Sequence, residues 1–365
     1  MKILHVFRAP VGGLFRHVRD LVIGQKQLGH DVGIVCDSST GGAVADGLLT
    51  SIVPHCSLGI HRIEILRLPG FGDVSAVLKT KAIAKLTGAE IVHGHGAKGG
   101  LYGRLAARIL GIPAVYTPHG GSLHYKWLGF PGALFLASER LLAQIGSGLI
   151  FVCEFERQSF AKKIGLGNTP NVVVYNGLWP TEFNKIVPND NASDVFFIGD
   201  MRELKGVDIL LKALKAIKRK RMITANFVGD GPDLVKFQGM ASTLGIDENV
   251  RFLGRLPTAE ALKCGRLLIM PSRAESFPYV ILEAAAGQVP LIASDIGGIP
   301  EILSAESLCP PDSAEALARH IELSLATPKA VVCTTQKLFD DVKSRFSASE
   351  MARNISEFYH KLRID

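Results

Sequence analysis

The sequence has no apolar run of the roughly 18 residues that a membrane-spanning helix needs. Its longest candidate, Ala133 to Cys153, is broken by Glu139, Arg140 and Gln144. Aromatic residues are sparse, at 7%, and do not interleave with the basic ones as in a nucleic-acid-binding ribbon. The six cysteines (Cys36, Cys56, Cys153, Cys264, Cys309, Cys333) lack metal-type spacing and read as reduced, mostly buried thiols. There is no Asp-x-Asp triplet, and Gly12-Gly13 lacks the Gly-x-Gly-x-x-Gly spacing of a dinucleotide-binding loop. These absences argue against a membrane-embedded protein, a nucleic-acid binder, a structural zinc domain and an NAD-type oxidoreductase. The opening stretch, Met1 to Phe7 closed by Arg8, is too short for a signal peptide and reads as a first strand.

What is present points to an α/β protein. At 365 residues the chain exceeds one comfortable core, so two domains are expected. Its 38 glycines suit many tight strand-to-helix turns. Short apolar runs alternate with helix-like segments, the pattern of parallel sheets. In the first half the runs are Lys2–Phe7, Val32–Cys36, Glu90–His93, Ala114–Thr117 and Leu149–Cys153. A second series comprises Val195–Gly199, Ile223–Gly229, Val250–Leu253, Leu267–Met270, Pro290–Ala293 and Ser307–Cys309. Each series begins with strand, glycine and helix. The expected organisation is a Rossmann-like domain over 1–180, a turn-rich linker over 181–193, a second such domain over 194–346, and a closing helix over 347–365.

Charge is unevenly shared. Residues 1–150 hold 15 basic and 8 acidic residues, and the remainder holds 26 of each. The whole net charge of +7 thus belongs to the first half, which suits an anionic lipid or phosphorylated partner.

In open parallel sheets, ligands bind at the carboxyl ends of strands, and three features of the second half fall there. Gly199-Asp200-Met201-Arg202-Glu203-Leu204-Lys205-Gly206 puts two cations in a turn before a helix beginning near Val207. Cations beside a helix N-terminus can cradle a diphosphate, whose charge grows as its bond breaks; a solvated surface turn is an equal reading. Glu275-Ser276-Phe277-Pro278-Tyr279-Val280-Ile281-Leu282-Glu283 places one carboxylate before a helix opened by Pro278 and a second about two turns along it. Eight residues of helix rise about 12 Å, so Glu275 and Glu283 suit hydroxyls at the two ends of a nucleotide sugar. The backbone N–H groups of Phe277 and Tyr279 then lie near the phosphates. Two glutamates on a helix are common, so the spacing gains weight only beside the Arg/Lys turn. Third, Ala293-Ser294-Asp295-Ile296-Gly297-Gly298-Ile299-Pro300-Glu301 ends a strand in a Gly-Gly turn before a helix.

These segments, with Gly229-Asp230-Gly231-Pro232, resemble the C-terminal domain of the retaining glycosyltransferases of family 4. Gly12-Gly13 resembles that family's N-terminal glycine loop, and Tyr116-Thr117-Pro118-His119-Gly120 its active-site histidine segment. The resemblance covers nearly the whole chain. It implies the GT-B fold, two Rossmann-like domains whose parallel sheets face across a cleft. It further implies transfer, with retained configuration, of a hexose from a UDP- or GDP-sugar to a glycan or lipid-linked acceptor in the cytoplasm. By the same resemblance Arg202 and Lys205 hold the diphosphate, Glu283 the ribose and Glu275 the sugar hydroxyls. Gly12, Gly13 and Gly229 border the donor, and His119 lines the sugar and acceptor side. Neither a metal nor another cofactor is implied. Ser276 and Pro278 depart from the small glycines often found after the first glutamate. A GT-B epimerase, a glycan phosphorylase and a non-catalytic nucleotide-sugar-binding protein remain as alternatives.

Two lesser signals complete the reading. His93-Gly94-His95 suggests a metal pair, but no third ligand is evident and a loop beyond a strand is favoured. The segment from Leu123 to Leu136 sets Trp127, Phe130, Leu134 and Phe135 beside Lys126. Both an inward-packing helix and a surface docking on an anionic membrane fit it.

Overall fold

A computed structural model describes residues 1–121 and 129–362. The chain divides into two compact units, one of Met1–Gly177 with Ala348–Asp365 and one of Leu178–Ser347.

The first unit is built on seven strands: β1 (Lys2–Val6), β2 (Asp31–Asp37), β3 (Ile60–Ile63), β4 (Ile91–His95), β5 (Ala114–Thr117), β6 (Gly148–Phe151) and β7 (Asn171–Val173). All pairings are parallel, in the order β3-β2-β1-β4-β5-β6-β7. The connecting helices are α1 (Gly12–Gln27), α2 (Gly42–Ile52), α3 (Gly72–Thr87), α4 (Gly96–Leu110), α5 (Phe130–Ala143) and α6 (Glu154–Lys163). Strand residues alternate between two faces. Leu4, Val6 and Val92 pack with Ala76, Val77, Tyr102 and Ala107 of α3 and α4, whereas Ile3, Ile91 and Val115 pack with Leu21 of α1. α3 and α4 each stop at a left-handed glycine, Gly88 and Gly111, which lets the chain turn back without a Cβ clash.

The second unit has six strands: β8 (Val195–Ile198), β9 (Ala225–Val228), β10 (Val250–Gly254), β11 (Leu268–Met270), β12 (Leu291–Ser294) and β13 (Leu308–Cys309). They run parallel in the order β10-β9-β8-β11-β12-β13. The helices are α7 (Val207–Lys218), α8 (Leu234–Thr243), α9 (Thr258–Ala261), α10 (Tyr279–Ala286), α11 (Ala314–Ala326) and α12 (Pro328–Arg345). α7 buries Val207, Leu210, Leu211, Leu214 and Ile217 against this sheet. Truncating one such leucine to alanine costs about 2–5 kcal/mol. Residues 181–193 run along this unit, where Ile186 N–H donates to the Gly287 carbonyl and Asn189 N–H to that of Lys263. The final helix, α13 (Ala348–Lys361), lays Met351, Ala352, Ile355 and Tyr359 on the Ile3/Ile91/Val115 face of the first sheet.

Eleven of the thirteen strands coincide with the apolar runs of the sequence. The other two, β3 and β7, are edge strands. Ile60-His61-Arg62-Ile63 is half-polar and Asn171–Val173 is three residues long, so neither carries a continuous buried run. Two local expectations are corrected. Residues 275–278 are not helical, Pro278 caps α10 rather than lying in its first turn, and Glu283 is the fifth residue of the helix. After Gly297-Gly298 comes only a short 3-10 turn, Ile299–Glu301.

Candidate active site

In the second sheet the strand order reverses beside β8, whose neighbours are β9 and β11. The loops leaving β8 and β11 therefore depart on opposite sides of a topological switch point, the place where open α/β sheets bind ligands. Lys205 belongs to the first of these loops and Glu275 to the second, and Lys205 Nζ lies 2.5 Å from Glu275 Oε1. Ser272 Oγ donates to the same carboxylate oxygen at 2.8 Å. Both ionic side chains are largely shielded, Glu275 more than Lys205.

Close backbone crossings hold the loops in place. A Cβ on Gly206, which has a φ of 67°, would stand 1.9 Å from the Pro271 carbonyl oxygen. One on Gly297 would stand 2.0 Å from the carbonyl oxygen of Glu275. Only glycine permits either approach. The Gly298 N–H also donates to the Ser276 carbonyl at 2.9 Å. Gly229, at the end of β9, crosses Gly199 at the end of β8. Arg273 clamps the arrangement with paired 2.8 Å bonds to both carboxylate oxygens of Asp208 in the first turn of α7. Burial alone raises the Asp208 carboxyl, but the Arg273 bonds outweigh it and hold the group below its ordinary range. These ion pairs raise the Arg273 guanidinium further.

The other expected donor residues are placed nearby in sequence but are not all joined to the pair. Arg202 is half-buried where the 3-10 turn Glu203–Lys205 begins, and its side chain has no hydrogen bond or ion pair among the described residues. Phe277 is buried against Phe346, with ring centroids 5.4 Å apart, and Tyr279 is buried at the start of α10. Glu283 is half-buried on the same helix.

In the first unit the order reverses beside β1, between β2 and β4. Gly12, with a φ of 75°, and Gly13 open α1 just beyond β1, and a Cβ on Gly13 would meet nothing within 4 Å. His119 follows β5 with a φ of 54°, a sparsely populated backbone conformation for a residue with a side chain.

His119 is the outer member of a cluster of five histidines. Strand periodicity puts His5, His93 and His95 on one sheet face, and β1 and β4 pair His5 with His93. His5 Nδ1 is 3.0 Å from His95 Nε2, and His95 Nδ1 is 3.1 Å from His119 Nε2. His5 Nε2 reaches Gln25 Oε1 at 2.8 Å, and His17 Nδ1 reaches Asn176 Oδ1 at 2.8 Å. His93 bonds Tyr359 through Nδ1 and Thr117 through Nε2. Burial lowers all five: His5 and His17 fall to about 4, and His93, His95 and His119 fall well below the ordinary imidazole value. The expectation for His93 and His95 is corrected here. Both lie inside β4, and further histidines stand beside them. His5/His93/His95 and His17/His95/His119 each bring three ring nitrogens within 4.8 Å of one another. The 3.0 and 3.1 Å contacts engage facing nitrogens in hydrogen bonds between the rings.

Residues 11–181 match the family described as Glycosyltransferase Family 4, and residues 180–335 match Glycosyl transferases group 1. The chain belongs to family 4 of the glycosyltransferases. It is 25% identical over 380 residues to a glycogen synthase of Mycobacterium tuberculosis, covering 96% of this chain and 91% of that one. It is equally identical over 375 residues to the gpi3 subunit of the phosphatidylinositol N-acetylglucosaminyltransferase of Schizosaccharomyces pombe, covering 96% and 78%. The structure of HepE from Anabaena, in complex with UDP and glucose, superposes with a TM-score of 0.83 at 22% identity, covering 99% and 100% of the two chains. The fold is accordingly GT-B.

In this glycosyltransferase several structural partners had no signal in the sequence. Ser272 and Arg273 of the loop after β11 and Asp208 of α7 surround the Lys205–Glu275 pair. His5, His17 and Gln25 converge with His119 only once β1, α1, β4 and β5 are assembled. The one hint was the spacing of His93 and His95, which puts both on one face of a strand. Residues 122–128, including Trp127, lie outside the described residues; further along that segment Leu134 is exposed and Leu136 is buried.

Proposed function

We propose that the enzyme transfers a hexose with retention from a UDP- or GDP-sugar to a glycan or lipid-linked acceptor, without a divalent ion. The observation that carries this reading is the Lys205–Glu275 pair at the switch point of the second sheet. When a donor binds, Lys205 and Arg202 neutralise the departing diphosphate, as fixed cations do for developing negative charge. Glu275 accepts hydrogen bonds from the sugar hydroxyls and Glu283 from the ribose. The N–H groups of Phe277 and Tyr279 and the backbone at Gly229 border the phosphates. On the first unit, Gly12 and Gly13 present the α1 N-terminus to an anion, and His119 serves the sugar and acceptor side. HepE was crystallised with UDP and glucose, which supports the donor class. A nucleotide-sugar hydrolysis screen tests the reading, since a transferase without acceptor slowly passes its sugar to water. Release of nucleotide from a UDP- or GDP-sugar is expected, with loss in Lys205→Ala; no turnover of any such donor would retire it.

The acceptor is proposed to be lipid-linked and reached at the cytoplasmic face of a membrane. The support is a line of exposed apolar side chains on and before α3. Phe71 is 99% exposed, Leu68 75% and Leu86 81%, and Val74, Leu78 and Ala82 continue the line at helical spacing. Arg67, Lys79 and Lys85 stand exposed around it. An apolar stripe flanked by cations suits an anionic lipid surface. No helix among the described residues is long and apolar enough to cross a membrane, so peripheral docking is the mode proposed. The relative named as a phosphatidylinositol N-acetylglucosaminyltransferase subunit is in keeping with a lipid acceptor.

A further inference from the structure

We infer that Gln25, His5 and His95 form a one-directional hydrogen-bond relay that fixes the tautomer of His119, making these three positioning residues for the transfer. The inference rests on the acceptor-side role given to His119 above.

The direction follows from one atom. An amide oxygen only accepts, and Gln25 Oε1 lies 2.8 Å from His5 Nε2. His5 Nε2 therefore carries the hydrogen. The ring is fully buried, which disfavours its charged form and keeps it neutral at pH 7, so its Nδ1 is bare. That bare nitrogen faces His95 Nε2 at 3.0 Å, so His95 Nε2 carries the hydrogen and His95 Nδ1 is bare. His119 Nε2, at 3.1 Å, must then donate to His95 Nδ1. The outcome is a neutral His119 whose Nδ1 is a lone pair, an acceptor for a hydroxyl. Reversing any one ring sets two bare nitrogens or two N–H groups against each other in a water-excluded place, at a cost of about 1–3 kcal/mol each. The amide on α1 thus selects the tautomer two rings away.

Gln25 Nε2 and His17 Nε2 are buried without a partner among the described residues, and an amide turned over would reverse the relay and leave His119 with its hydrogen on Nδ1. The other neighbours are engaged elsewhere. On α1, His17 gives its Nδ1 hydrogen to Asn176 Oδ1, and Asp20 is held by Arg16 and Arg19. On α6, Glu156 receives the Gly120 and Val152 N–H groups, anchoring the residue next to His119. On β4, His93 is turned to Tyr359 of α13 and to Thr117 of β5. Backbone strain at His119, with a φ of 54°, fixes where the ring starts, and the relay fixes which nitrogen it offers.

Long-range 1H–15N spectra of the full chain labelled with 15N-histidine read each tautomer directly. His5, His95 and His119 are all expected as neutral Nε2–H rings at pH 7. An Nδ1–H or doubly protonated His119 would overturn the relay, and this arm needs no variant. Gln25→Leu removes the terminal acceptor and is expected to mix the His119 tautomers. It should lower kcat at least about tenfold, by analogy with the larger loss when a catalytic histidine is left in the wrong tautomer, with donor KM unchanged. Gln25→Glu keeps an acceptor oxygen and should restore the Nε2–H pattern. Unaltered tautomers and unaltered kcat in Gln25→Leu would also overturn the relay. If His119→Ala turns over like the wild type while the wild-type spectra show the expected pattern, the role of His119 fails and the relay's geometry stands.

Discussion

Lys205 Nζ and Glu275 Oε1 lie 2.5 Å apart, joining the loops that leave β8 and β11. On the proposed reading, the ammonium assigned to the diphosphate is already held by the carboxylate assigned to the sugar. Replacing Lys205 by alanine should cost about 3–4 kcal/mol in kcat/KM, as for other lost transition-state donors. Because the two groups touch, Lys205→Ala and Glu275→Ala should not add. A double-mutant cycle on kcat/KM is expected to show about 0.5–3 kcal/mol of coupling. Additive losses would separate the two roles.

Chelation is expected to leave the reaction intact. On the proposed reading, Arg202 and Lys205 take the place of the divalent ion held at sites built on Asp-x-Asp, a triplet the sequence lacks. Turnover measured with excess EDTA should match the untreated enzyme. Loss with EDTA and recovery with Mg2+ would contradict this.

The loop cluster of the second unit was legible because its signals are local. Strand, turn cations and helix follow one another within about a dozen residues, and a glycine is visible wherever two backbones cross, as at Gly206 and Gly297. The glutamate spacing misled in one respect. Glu275 stands before the helix as expected, but α10 begins only at Tyr279, so the rise of about 12 Å for eight helical residues does not describe the separation from Glu275 to Glu283. The histidine cluster was hidden for a different reason. Its members come from β1, α1, β4 and the end of β5, and nothing in their sequence spacing encodes which face of which strand meets which helix. The rows Ile3/His5, Ile91/His93/His95 and Val115/Thr117 show the rule in retrospect: apolar where the strands enter the core, polar where they approach their carboxyl ends.

Those histidines make the first unit sensitive to acid. His5 and His17 fall from the unfolded value of 6.5 to about 4, with burial as the largest cause. Below pH 6.5 the unfolded chain takes up protons that the folded cluster refuses, so stability present above that pH drains away as pH falls towards 4. Each such histidine contributes a slope of up to about 1.4 kcal/mol per pH unit in that window. Urea unfolding at pH 7, 6 and 5 should show a steep loss for the wild type and a shallower one for His17→Asn. A flat profile between pH 7 and 5 would mean that the cluster admits protons while folded.

The α3 surface makes the membrane proposal testable at named positions. Burying a side chain such as leucine or phenylalanine is worth about 1.5–3 kcal/mol, and each lysine or arginine near an anionic leaflet adds about 1 kcal/mol. Phe71, Leu68 and Leu86, with Arg67, Lys79 and Lys85 around them, therefore suffice for reversible attachment when lipid is in excess. The full-length enzyme should float with phosphatidylglycerol-containing vesicles at low salt and much less with phosphatidylcholine alone. The triple variant Leu68→Ser, Phe71→Ser, Leu86→Ser should lose flotation yet keep hydrolysis of the soluble donor, since these side chains are solvent-exposed and belong to the other unit from Lys205 and Glu275. Salt should weaken binding by screening the cations, whereas a purely apolar contact between protein copies would strengthen or persist. Size-exclusion chromatography reads that alternative: a dimer dissociated by the same three serines, with no flotation of the wild type, would assign the stripe to self-association and remove the membrane from the reading.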